Sequence, residues 1–282
     1  MIPLHLQLLL KWHERTLSSP KEIIKSLHSS HVARVKALHT SKGRKSAHRF
    51  IAEGPAAVNA AASSEKYPIE SLYVTETGAE LLPAALRNQA IFTSEKVMAA
   101  ISTVETAQGV LAICSMGQGK DAGTNSEEFD EIFSTNLPVL YLCEVNDPGN
   151  LGTIIRTADA LGSAGVLLSQ GSADPFSGKV VRSTAGSLWN VTLFRDVAID
   201  AAIKKARIHQ KEIIATDGTG RTPLREISGQ SALWIFGNEA RGLTKDISAQ
   251  ADKVVSIPMR GRAESLNLAT AVAICLFHAN GG

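Results

Sequence analysis

Residues 138–168 read PVLYLCEVNDPGNLGTIIRTADALGSAGVLL. The first run, PVLYLCEV, is apolar almost throughout rather than alternating, the pattern of a strand covered on both faces, as in a parallel sheet flanked by helices. Asn146-Asp147-Pro148-Gly149-Asn150 is turn chemistry. GNLGTIIRTADALG then carries helical periodicity, and GVLLSQ is a second continuous apolar run. Strand, helix and strand in this order predict an α/β domain. The alternation continues: NVTLF, then IDAAIKKARI; EIIATD; ALWIFG; KVVSIPM; and a final apolar helix.

Ligands of such sheets bind beyond the carboxyl ends of the strands, so the informative residues follow those ends. Three segments qualify, beginning at Asn146, Phe236 and Ser256. In the first, Gly152 permits close backbone approach, and Arg156 offers a planar, permanently charged fork suited to phosphate or carboxylate. Taken without context, an ordinary exposed helical Arg is the commoner case, by roughly two to one. In the second, Gly237 directly follows the strand ALWIF and Glu239 puts a carboxylate at the cleft, or simply at the start of a helix beginning near Leu243. In the third, Ser265 is placed to cap the helix Leu266–Phe277. Asn267 is a poor interior residue for that helix and needs a partner if buried.

Working toward the N-terminus, MGQGKDAGTNSEEFDE at 116–131 is rich in Gly and acids, so a linker is expected over 116–136. Before it, IESLYVT and GVLAICS alternate with helical stretches, a small α/β unit over 30–115. From Ser19 to about Ala62 the pattern reads as helix. The expected organisation is a basic extension at 1–29, the small domain at 30–115, the linker at 116–136 and the parallel-sheet domain at 137–282.

Length and charge agree with this division. At 282 residues the chain accommodates two ordinary domains. With 44% hydrophobic and 20% charged residues it is globular. No run reaches the roughly 18 apolar residues of a membrane span. The net charge of +2 hides an asymmetry: residues 1–50 hold ten Lys or Arg against Glu14 and Glu22, or +8, leaving −6 on the other 232. Six of the eight His share the basic segment. A one-ended basic segment suits a polyanion such as nucleic acid, or a solvated arm. The opening MIPLHLQLLLKWHER lacks a basic region before its apolar stretch and a small-residue cleavage site after it, so it reads as a non-cleaved extension. Cys114, Cys143 and Cys275 form neither a disulfide framework nor a metal pair, and predict buried thiols in a reducing, cytoplasmic setting. No dinucleotide fingerprint, P-loop or nucleophile elbow is present. His209 and His278 read as solvated.

The three segments, in this order, resemble the SpoU (TrmH) family, of the SPOUT superfamily, of S-adenosylmethionine-dependent RNA 2′-O-methyltransferases. The family's N-x-G-x-x-x-R-T-A corresponds to Asn150-Leu151-Gly152 through Arg156-Thr157-Ala158. Its G-x-E and following Gly-hydrophobic pair correspond to Gly237-Asn238-Glu239 and Gly242-Leu243. Its I-P-M and S-L-N correspond to Ile257-Pro258-Met259 and Ser265-Leu266-Asn267. The run from Arg34 to Gly54 resembles the RNA-binding domain that precedes the catalytic domain in rRNA-directed members. The resemblance implies a deep trefoil knot, an S-adenosylmethionine cofactor held by Thr216, Gly237, Ile257 and Leu266, and catalytic or RNA-facing roles for Asn150, Arg156, Glu239, Ser265 and Asn267. It further implies a homodimer through the C-terminal domain, no metal, and 2′-O-methylation of structured RNA, 23S rRNA above all. A catalytically silent RNA-binding assembly protein and a tRNA methyltransferase are the alternatives.

Overall fold

The computed structural model describes residues 23–116, 124 and 126–282. The basic extension before residue 23, including the expected helix start at Ser19, and most of the Gly-rich stretch after Met116 lie outside the described residues. The chain divides into two compact units. The first runs to Gln118 and also takes in Phe176–Arg182, whereas the second comprises Gly119–Pro175 and Ser183–Gly282. Among the described residues no helix is long and apolar enough to cross a membrane.

The first unit is built on a four-stranded sheet of β1 (Arg49–Glu53), β4 (Val110–Ser115), β2 (Ile69–Val74) and β3 (Ile91–Phe92), in that spatial order. β1 and β2 pair antiparallel with β4, and β3 runs parallel to β2. Val32, Val35 and Leu38 pack with Ile51, Tyr73, Met98 and Leu111 in its core. The expected continuous helix is corrected here: helices Ser30–Ala37 and Ser41–Ala47 are followed by a strand, then by helix Pro55–Ala62. His48 adopts the left-handed conformation at φ 51° and ends the second helix. The residues after it are then buried as an edge strand, Phe50 opposite Cys114. Phe176 completes an aromatic cluster in this unit, 4.9 Å from the ring of Phe50 and 5.3 Å from that of Tyr67.

The second unit holds seven strands, all parallel, in the order β7 (Leu193–Phe194), β6 (Gly165–Leu168), β5 (Val139–Leu142), β10 (Ala232–Phe236), β8 (Glu212–Thr216), β11 (Lys253–Ser256) and β9 (Thr222–Pro223). Every residue of β5, β6 and β10 is buried, as continuous apolar runs require. The expected linker ends earlier than residue 136. Glu127–Ser134 is a helix capped by Ser126, with Phe129, Ile132 and Phe133 in the core. Its acids, Glu127, Glu128 and Asp130, sit in the first turn, where the helix dipole favours negative charge. Helix Pro148–Leu161 packs against the last helix, Leu268–Ala279.

Lys211 is an unusual tie in this unit. It is only 2% exposed, and its Nζ donates to the carbonyls of Thr135 (2.7 Å) and Leu137 (2.9 Å) and to Ser231 Oγ (3.3 Å). Burial holds its ammonium down at about 8. The unfolded chain keeps that proton to about 10.4, so between these values the unfolded state binds more protons and folding stability gains up to about 1.4 kcal/mol per pH unit from this group as pH rises. Below pH 8 the group contributes no slope. Urea unfolding of the wild type and of Lys211→Met from pH 7 to 10.5 isolates it: the wild-type stability should climb relative to the variant's above pH 8, and parallel curves would contradict the assignment.

The three thiols are free and buried. Burial raises all of them, Cys143 and Cys275 to about 12. They are inert packing groups.

Candidate active site

The carboxyl ends of β5, β10, β8 and β11 supply the site. At the first, Asp147 caps helix Pro148–Leu161, its Oδ1 accepting from Asn150 N at 2.8 Å, and Pro148 occupies the first turn, where its missing N–H is harmless. At the second, Gly237 is squeezed: an added Cβ would stand 2.4 Å from the carbonyl carbon of Gly242 and 2.7 Å from Leu243 N. The loop between them closes on itself through Asn238 N to Gly242 O (3.1 Å) and Gly242 N to Asn238 O (2.8 Å). The buried Asn238 side chain locks the loop to the end of β5, donating to Glu144 O at 2.7 Å while Oδ1 accepts from Ala240 N (2.9 Å) and Arg241 N (3.1 Å). Sequence reasoning passed over Asn238. Its signal was a turn-forming Asn four residues before a Gly, which here takes φ +65°.

That loop presents Glu239, and Glu239 joins the three segments. Its carboxylate accepts from Asn150 Nδ2 at 3.1 Å and from the backbone N–H groups of Asn146 and Asp147, both at 3.4 Å. Asn267 Nδ2 donates to Asn150 Oδ1 at 2.8 Å, and Asn267 Oδ1 accepts from Ala269 N (2.9 Å) and Thr270 N (3.3 Å). Every amide orientation is dictated. A carboxylate only accepts, so Asn150 must turn its NH2 to Glu239 and its oxygen to Asn267. The helix N–H groups only donate, so Asn267 must turn its oxygen to them and its NH2 to Asn150. The result is a one-way relay from the N-terminus of the last helix to Glu239.

Two expectations change. Asn267, not Ser265, caps the last helix, which begins at Leu268. Ser265 is exposed in the preceding loop and takes no part in the relay. The helix expected near Leu243 begins at Lys245, with Thr244 as its cap. The histidines are engaged rather than solvated: His209 Nε2 lies 3.2 Å from Asp130 Oδ1, and His278 Nε2 lies 2.7 Å from Ile227 O.

Arg156 stands outside the relay. It is exposed on the helix that begins with Pro148, six residues and therefore about 9 Å along the axis from Asn150, on the face that also exposes Thr153. Among the described residues its guanidinium has no hydrogen-bond or ion-pair partner, which leaves the fork available to an anion.

Three of the four expected cofactor residues lie close together by register. Phe236 pairs with Thr216 and Thr216 with Val255, so Gly237, Thr216 and the start of the segment at Ile257 lie at the ends of three adjacent strands, spaced by about 4.8 Å per strand. The Thr216 hydroxyl is committed to the sheet, donating to Ile235 O at 3.1 Å. Ile257 is half-buried just beyond the end of β11, and Leu266 is 37% exposed in the following loop. Strand-end amides and carbonyls with apolar side chains near them suit an adenine ring and a sulfonium, whose positive charge carbonyl oxygens favour. Among the described residues no group of three His, Cys, Asp or Glu could hold a metal ion.

Comparison with known proteins bears on this geometry. The model of the SpoU rRNA Methylase family matches residues 138–277, and that of the MRM3-like substrate binding domain matches residues 29–112. The 23S rRNA (guanosine(2553)-2′-O)-methyltransferase RlmP of Bacillus subtilis is 33% identical over 261 residues, 92% of this chain and 99% of that protein. An AdoMet-bound rRNA methyltransferase from Sinorhizobium meliloti superposes with a TM-score of 0.75 at 30% identity, covering 92% of this chain and 97% of that one. The SpoU methyltransferase AviRb from Streptomyces viridochromogenes, in complex with AdoMet, does so with a TM-score of 0.76 at 25% identity, covering 90% and 97%.

Proposed function

Because this chain belongs to the SpoU rRNA Methylase family, we propose that it methylates a ribose 2′-hydroxyl of 23S-type rRNA, using S-adenosylmethionine as donor. The observation that carries this reading is the relay through Asn267, Asn150 and Glu239, which draws residues 89 and 117 positions apart onto one site at the strand ends. The donor, when bound, supplies an electrophilic methyl group on a sulfonium. The protein's contribution is then chiefly positioning, since holding two reactants in line accounts for about 7–11 kcal/mol of barrier reduction in favourable cases.

Gly237, Thr216, Ile257 and Leu266 hold the donor through strand-end backbone and apolar contact. The relay fixes the loops that carry Glu239 and Asn267 relative to one another. Arg156 clamps a phosphate beside the target ribose and stabilises the oxyanion that develops on the 2′-oxygen. It is not the base, because a guanidinium is permanently charged in proteins; water or another neighbour takes that proton. Ser265, exposed two residues before the cap, faces RNA.

The remaining features follow the same reading. The order of strands supports a deep trefoil knot: after β9 is laid at the far edge, β10 enters between β5 and β8, and β11 then enters between β8 and β9. Phe277, 59% exposed on the last helix, supports a homodimer through this domain. Action on rRNA together with three unpaired thiols supports a cytoplasmic protein.

The test is methyl transfer in vitro. Purified protein, donor labelled in its methyl group and an unmodified 23S rRNA transcript should yield label in dinucleotides resistant to alkali, as a blocked 2′-hydroxyl requires. Label confined to bases, or donor binding without transfer, would overturn the reading.

A further inference from the structure

We infer that the first unit carries a pocket for one unstacked nucleotide of the RNA substrate, an inference that rests on the proposed activity. The unit contains a cavity of about 580 Å³, open to solvent, whose lining residues all belong to that unit. This volume lies within the range of small-ligand sites. One part of the wall is apolar, formed by Leu38, Ile51 and Val104. The other carries Arg44, Lys179 and Arg182, against a single lining carboxylate, Glu105.

The cations are held, not loose. Arg44 is buried and donates to the carbonyls of Leu38 (3.0 Å) and His39 (3.1 Å). Arg182 bonds Thr103 and lies 3.6 Å from Glu53, a carboxylate that Thr103 N also donates to at 3.1 Å. Arg44 and Lys179 among apolar lining side chains match a nucleotide, whose phosphate is anionic and whose base is flat and largely apolar on its faces, while the charge of Arg182 is offset by Glu53. RNA is the source of the nucleotide because most of the lining, Leu38 to Glu105, lies in the part matching a substrate binding domain.

Full-length Val104→Trp, which fills the apolar side, and Lys179→Gln, which removes a lining cation, test this with an unmodified 23S rRNA transcript. RNA affinity should fall about tenfold or more in Val104→Trp, the scale of one lost stacked base, while S-adenosylmethionine affinity stays at the wild-type value. Lys179→Gln should weaken binding and reduce the slope of log K against log salt by about 0.7–0.9. Photo-crosslinking of 4-thiouridine-substituted RNA to wild-type protein should label peptides 102–105 or 176–182, a readout that survives if Val104→Trp fails to fold. Wild-type RNA affinity in both variants, or no cross-link to these peptides, would overturn the pocket while leaving methyl transfer intact. Saturable binding of free nucleoside monophosphates there, without competition against RNA, would overturn it too. Failure of the wild-type chain to transfer methyl groups would overturn the functional reading beneath it.

Discussion

Arg156→Lys should bind S-adenosylmethionine as the wild type does and lose methyl transfer by about 10²–10³-fold, the scale seen when one positioned oxyanion donor is removed. The charge survives this substitution, so the loss isolates geometry. A lysine presents one compact ammonium, whereas the guanidinium can grip a phosphate and still direct an N–H at a neighbouring oxygen. Because Arg156 is exposed and partnerless among the described residues, the change should leave stability untouched, within about 0.5 kcal/mol. Single-turnover transfer at saturating donor reads the effect directly. Wild-type turnover in the variant would remove Arg156 from the chemistry and return it to an ordinary exposed helical Arg.

Gly237→Ala should be nearly as damaging, by another route. The new methyl group would meet backbone on its open side, the carbonyl carbon of Gly242 at 2.4 Å, its oxygen at 2.7 Å and Leu243 N at 2.7 Å. Backbone cannot swing aside as a side chain can, so the loop of residues 237–243 must move. That loop carries Glu239 and the Asn238 side chain that ties it to Glu144 O. A shift of about 1 Å breaks the relay and is expected to lower transfer by about 10²-fold. Donor affinity, measured by calorimetry, should fall with it, because Gly237 directly follows β10, one of the three adjacent strands proposed to frame the donor. An alanine variant with normal donor binding and normal transfer would show that the close approach is packing alone.

How far the sequence disclosed all this depends on where each signal resides. β5, the helix after Asp147 and β6 were legible because long apolar runs, turn residues and helical periodicity are local chemistry. The strand Arg49–Glu53 was hidden between two helical stretches, and only its pairing with Val110–Ser115 makes it a strand. The helix Glu127–Ser134 was obscured by its own acids, which look like linker composition until Phe129, Ile132 and Phe133 are seen in the core. At the last helix, both Ser265 and Asn267 have capping chemistry, and the contact with Asn150 shows which one serves. The relay's direction follows from hydrogen-bonding rules once its members are known to meet, yet their meeting spans over a hundred residues and leaves no local trace. The same holds for Phe176–Arg182, whose sequence gives no hint that Phe176 packs with Phe50 and Tyr67.

The most direct measurement is a transcript-wide map of 2′-O-methylation on rRNA from cells with and without this protein. One 23S rRNA ribose should lose its methyl group when the protein is absent and regain it when the wild type, but not Arg156→Lys, is restored. An unchanged map, or equal restoration by both proteins, would contradict the activity or the role of Arg156, respectively.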